Sequence, residues 1–224
     1  MRLRNCNIDT GDDAICLKTT SPEPCRDVSI SDCTLQSNCA ALKIGTESIG
    51  DVSAIRVEHC RILYAGLGGI KLLTVDGAHL SDVVVDGIIM ESGRVAVFLR
   101  LGARLKTFRS GDAKREPGSL SSVRIANVQA NVEGTGVMIS GVPGHLVEDV
   151  TIENVDLSLP GGGSEADAQV QIPEVETAYP EIRMFGPVLP AYGVWARHVK
   201  GLQVRGLKVT LARTDGRPER VVAE

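Results

Sequence analysis

One apolar pattern recurs along the whole chain at a nearly constant spacing, and it constrains the fold more than any other feature. It is carried by Leu3-Arg4-Asn5-Cys6-Asn7-Ile8, Val28-Ser29-Ile30-Ser31-Asp32-Cys33-Thr34-Leu35 and Ile55-Arg56-Val57-Glu58-His59-Cys60-Arg61-Ile62. It returns around Val85, Ile125, Ile152 and Val204. The shared anchors at 3, 30, 57, 85, 125, 152 and 204 are separated by 27, 27, 28, 40, 27 and 52 residues. The two long steps predict loop insertions over 102–119 and 158–192, the second rich in Gly and Pro.

A second strand-like run follows each anchor: 14–18, 41–45, 69–73, 95–101, 136–141 and 193–199. Alternation with β-branched residues argues for strands, and no helical stripe interrupts them. A repeat of this length with several short strands predicts a solenoid. The expected fold is all-β, a right-handed single-stranded parallel β-helix forming one domain over 1–224. Equivalent positions then stack at about 4.8 Å. Cys6, Cys33 and Cys60 would stack as core filling, and Asn5, Asp32, His59, Asn127 and Asn154 would line a polar corner.

In the second strands, Ile15, Leu17, Leu42, Ile44, Ile70 and Leu72 share one parity and should point inward. Lys18, Lys43, Lys71 and Arg100 fall on the opposite, outer face. Such a stripe is either a groove for an extended anionic ligand or an ordinary solvated face on which Lys discourages edge pairing. Asp12-Asp13 sits after Gly11 at the head of the first of these strands. By itself it reads first as a turn; the chemical reading is two crowded carboxyls with separated pKa values, the division of labour that glycosidic cleavage needs.

The totals exclude several classes. The net charge of −4 argues against a nucleic-acid binder that relies on positive charge. No apolar run is long enough to span a bilayer, and no apolar h-region follows Met1-Arg2-Leu3-Arg4 to make a signal peptide. The six cysteines all precede residue 61 and form no CxxC pair, so neither a zinc site nor a dense disulfide framework is expected.

Four segments carry a family resemblance. They are Asp9-Thr10-Gly11-Asp12-Asp13-Ala14-Ile15-Cys16-Leu17-Lys18, Leu42-Lys43-Ile44-Gly45-Thr46-Glu47-Ser48, Lys71-Leu72-Leu73-Thr74, and the stretch from Tyr179-Pro180-Glu181 to Tyr192-Gly193. In order and spacing they resemble glycoside hydrolase family 28, the polygalacturonase-type pectin hydrolases, and especially their bacterial branch. The resemblance implies a pectin-lyase-like β-helix that hydrolyses a galacturonate-containing chain with inversion. Asp12 would be the general acid, Asp13 would help activate water, and Lys71 would hold a substrate carboxylate, with Lys43, Lys18 and Arg100 beside it. It implies no metal or other cofactor, an anionic polysaccharide as partner, and secretion or a periplasmic location.

The departures shape the alternative. The family's further catalytic Asp, in an Asn-Thr-Asp-Gly segment before the pair, has no counterpart here, so N-terminal repeats are expected to be missing. The family's histidine falls at Cys39, and its second cation at Leu73. An apolar first repeat without a cap would favour self-association through that end. The competing expectation is a carbohydrate-binding β-helix without turnover.

Overall fold

A computed structural model describes residues 1–113 and 115–223. Among them the chain is almost entirely β. The first strands are β1 (Arg2–Arg4), β2 (Asn7–Thr10), β3 (Ile15–Thr19), β4 (Cys25–Ser31), β5 (Thr34–Ser37), β6 (Ala40–Ser48), β7 (Val52–Glu58), β8 (Arg61–Ala65) and β9 (Gly68–Thr74). Then come β10 (His79–Leu80), β11 (Val83–Met90), β12 (Val97–Leu101), β13 (Ser119–Asn131), β14 (Val137–Ser140) and β15 (Val147–Leu159). The last are β16 (Val194–Arg197), β17 (Val199–Lys200), β18 (Gln203–Leu211) and β19 (Arg220–Ala223). No α-helix occurs among the described residues; two short 3₁₀ turns, Ala166–Gln169 and Ile182–Phe185, lie between β15 and β16. Among the described residues no helix is long and apolar enough to cross a membrane.

The strands form two sheets with parallel ladders. One sheet runs β3-β6-β9-β12-β14-β16-β19, and the other holds the remaining strands. Pairing partners come from successive sequence repeats. The anchors pair in one unbroken series, Leu3 with Ile30, Ile30 with Val57, Val57 with Val85, Val85 with Ile125, Ile125 with Ile152, and Ile152 with Val204. The inward residues of the second strands do the same: Ile15, Leu42, Ile70, Val97, Val137 and Val194 form one column. The main core lies where these columns meet those of the other sheet. Each buried aliphatic side chain contributes about 1.5–3 kcal/mol, so matched columns hold the register.

Two backbone kinks recur in each repeat. Asn5, Asp32, His59, Asn127 and Asn154 have φ of 51–53°, and Gly87 and Gly206 take the equivalent positions at 69° and 61°. Asn154 donates to Asn127, and Asn127 to Asp86, so amide side chains stack along this corner. The second kink was not apparent in the repeat pattern. It falls five residues earlier, at Asp27, Ala54, Asp82, Ser122 and Asp149 (φ 51–58°) and Gly201 (φ 71°). Asn, Asp and Gly enter this left-handed region most readily, but Ala54 and Ser122 break the compositional signal.

The segment between β15 and β16 departs from the expected solvated loop. It folds back over the outer face of the smaller sheet and builds a second apolar cluster there, with Phe185, Leu189 and Ala191 packed on Leu73, Phe98, Met138 and Trp195. Phe185 meets Trp195 edge-on at 4.8 Å between ring centroids. Beyond the first strands, the face expected to be an open groove or a wet surface is therefore covered.

Candidate functional site

The outer-face column is Cys16, Lys43, Lys71, Phe98, Met138 and Trp195, each paired with the next. Lys43 and Lys71 thus stand on adjacent strands of one face. Asp12 and Asp13 occupy the turn that feeds β3, and bonds between side chains and backbone tie this turn to the next repeat. The Ser37 hydroxyl donates to the Asp12 carbonyl at 2.6 Å, and the Ala40 amide donates to Asp13 Oδ1 at 3.1 Å.

The Lys43 ammonium donates to Asp13 Oδ2 at 2.6 Å. Both side chains are nearly buried, with 8% and 9% of their area exposed. Burial works against the Lys43 charge, but the Asp13 hydrogen bond and charge outweigh it and raise its pKa. Asp12 is exposed, and its Oδ1 accepts the Asp13 amide at 2.8 Å. That amide and the Cys39 thiol hold its carboxyl below the usual carboxylate range.

Lys71 is 2% exposed. Its nearest countercharge is Glu181 at 3.8 Å, and its ammonium lies 5.7 Å from the centre of the Phe98 ring. Burial depresses its pKa against the pull of Glu181. Glu181 comes from the covering segment, so the site is walled by a part of the chain remote in sequence. No repeat spacing could have paired these two residues.

Lys18 is half-exposed and reaches Glu47 at 3.8 Å. Arg100 corrects the sequence expectation. It projects from the same face but is 1% exposed. Its guanidinium donates to the Ser140 hydroxyl at 2.7 Å and to the carbonyls of Gly141 and Val175 at 2.8 and 3.1 Å. Burial, and then the like charge of Arg197, push it down to about 10. Arg197 similarly holds the carbonyls of Ile172 and Pro173, at 2.7 and 2.8 Å. Both guanidiniums flank the Phe185 ring, at 5.5 and 5.7 Å. Arg100 anchors the covering segment and is not presented to a ligand.

The acid pair and Cys39 bring ligand atoms within 4.8 Å of one another. The Lys43 ammonium already occupies Asp13 and repels a cation, so the set favours a proton or a hydrogen-bonding ligand over a metal. Each Asp13 oxygen already accepts one hydrogen bond, from the Ala40 amide or the Lys43 ammonium, and its side chain is 9% exposed. Asp12 is the exposed carboxylate, and Lys43 and Lys71 supply positive charge behind it.

No family model, no curated protein and no solved structure matches this chain.

Proposed function

We propose that the chain is a right-handed parallel β-helix of the pectin-lyase-like kind that acts on galacturonate-containing polysaccharide, with hydrolysis at Asp12. The observation that carries this reading is one exposed carboxylate, Asp12, beside a buried Lys43–Asp13 pair, with Lys71 on the next strand. The resemblance of Asp9–Lys18 and Leu42–Ser48 to the polygalacturonase-type enzymes supports it. In this reading Asp12 delivers a proton to the leaving oxygen as the glycosidic bond breaks, and a water adds at the anomeric carbon from the opposite face and passes its proton to solvent. Asp13 acts as a positioning residue through its grip on Lys43, and it gives its backbone amide to Asp12. Lys43 and Lys71, though nearly buried, supply a positive field for a sugar carboxylate; Asp12, held below its usual range in the free chain, takes up a proton as the bound carboxylate and the loss of water raise its pKa.

A second reading, binding without turnover, is favoured by one observation. Inverting hydrolysis needs a second carboxylate to activate water, and Asp13 is nearly buried, with one oxygen held by the Ala40 amide and the other by the Lys43 ammonium. Incubation with polygalacturonate and rhamnogalacturonan, followed by a reducing-end assay, separates the two. Release of reducing ends by the wild type but not by Asp12→Asn supports hydrolysis. Calorimetric binding of oligogalacturonides without product supports the second reading. Binding indifferent to both Lys43→Ala and Lys71→Ala removes both.

A further inference from the structure

The turns that feed the strands of the smaller sheet lie along one edge. Backbone bonds join them in series: Ala14 to Ala40, Gly69 to Val95, Ala96 to Gly136, and Gly136 to Tyr192, at 2.9 to 3.1 Å. Asp12 and Asp13 stand at one end of that edge. Farther along it a cleft of about 620 Å³ opens between the turns and the covering segment. Arg94, Glu133, Thr135 and Tyr192 line the turn side, and Arg183 and Leu189 line the other.

The charges in this cleft do not cancel. Arg217 also lines it, but its guanidinium is committed to Asp215 at 2.7 Å and to the Leu189 carbonyl at 3.1 Å. Arg94 and Arg183 make no ion pair or side-chain hydrogen bond among the described residues, and Arg183 is exposed. Among the described residues Glu133 is the single carboxylate on the walls. Apart from Thr135, whose hydroxyl donates to the Ala191 carbonyl at 3.2 Å, the rest of the lining is apolar or aromatic, including Met138, Val188 and the ring of Tyr192. Forked guanidiniums suit carboxylates, and an aromatic ring with an apolar wall suits the carbon face of a sugar.

We infer that this cleft is a second binding site, for a carboxylate-bearing saccharide chain that runs along the sheet edge from Asp12. The identity of the sugar rests on the uronate reading of the Asp12 site; the preference for an acidic over a neutral saccharide rests on Arg94 and Arg183 alone. Between β3 and β12 there are three strand pairings, and between β3 and β16 five. At about 4.8 Å per pairing the cleft begins roughly 14 Å from the acid pair and ends roughly 24 Å from it. The covering segment joins the two regions, because Glu181 meets Lys71 while the adjacent Ile182 lines the cleft. A long chain would touch both regions and a short one only the first.

The test is calorimetric titration of the full chain with an α-1,4-galacturonate hexamer, its methyl ester and the dimer. The Arg94→Ala/Arg183→Ala double variant should bind the hexamer at least tenfold more weakly, bind the dimer as the wild type does, and unfold at an unchanged temperature. Arg94→Lys/Arg183→Lys should restore part of the hexamer affinity. The methyl ester should bind weakly to both proteins. An unchanged hexamer affinity in the double variant, equal affinity for the methyl ester, or no hexamer binding by the wild type overturns the inference. Hydrolysis of the hexamer with an unchanged KM in the double variant leaves the proposed reaction standing and removes the cleft. Hexamer binding that depends on the arginines, without reducing ends, does the reverse.

Discussion

Lys43 and Asp13, on consecutive repeats, form a nearly buried ion pair at 2.6 Å that joins the turn before β3 to the middle of β6. Removing one partner strands the other charge, which costs about 3–5 kcal/mol at a buried pair. Lys43→Met should therefore lower the unfolding free energy by that order in urea titration. Asp12→Asn, at an exposed carboxylate, should leave it unchanged while removing any hydrolysis.

Alkaline pH should act oppositely through the two lysines. Lys43 titrates above its ordinary 10.5 in the folded state. Its contribution is complete below that value and is lost as pH rises through the folded pKa. Lys71 titrates below 10.5. Between its folded pKa and 10.5 the unfolded state holds more protons, so its burial cost shrinks as pH rises. Stability measured from pH 8 to 11 should rise less steeply, or fall more, in Lys71→Met than in the wild type. Lys43→Met should lose the fall at the alkaline end. Profiles parallel to the wild type would contradict both assignments.

Lys71 should also separate stability from binding. It is a buried cation whose nearest countercharge among the described residues is 3.8 Å away. Replacing it by Met removes a desolvated charge and keeps the packing, so the change should be neutral or stabilising by about 1 kcal/mol. The same variant should lose oligogalacturonide affinity in calorimetry.

Phe185 holds the covering segment from inside and is 1% exposed. Phe185→Ala should cost about 3–5 kcal/mol and expose residues between β15 and β16 to limited proteolysis before the strands are cut. Equal protection of that segment in both proteins would remove its role as the anchor.

Ala54 offers a stabilising change. It holds φ of 54°, where a side-chain-bearing residue is disfavoured by about 1–2 kcal/mol. Asp27, Asp82 and Asp149 fill the equivalent kinks. Ala54→Asp should raise stability by about 0.5–1 kcal/mol in urea titration.

The anchors at 3, 30, 57, 85, 125, 152 and 204 were legible because a parallel ladder turns a constant spacing into physical contact, and each of these residues pairs with the next. The parity that put Lys43 and Lys71 on one outer face was legible for the same reason: side chains alternate along a strand. The sequence also placed Asp12-Asp13 beside that face. It could not say that Arg100 lies under 172–192, since nothing in a repeat records where an irregular insertion docks. The burial of Lys71, its contact with Glu181 and the capture of Asp13 by Lys43 were decided by the tertiary structure. Local patterns specify which way a side chain leaves its strand; only the packing of distant segments specifies whether it meets water, a countercharge or an aromatic ring.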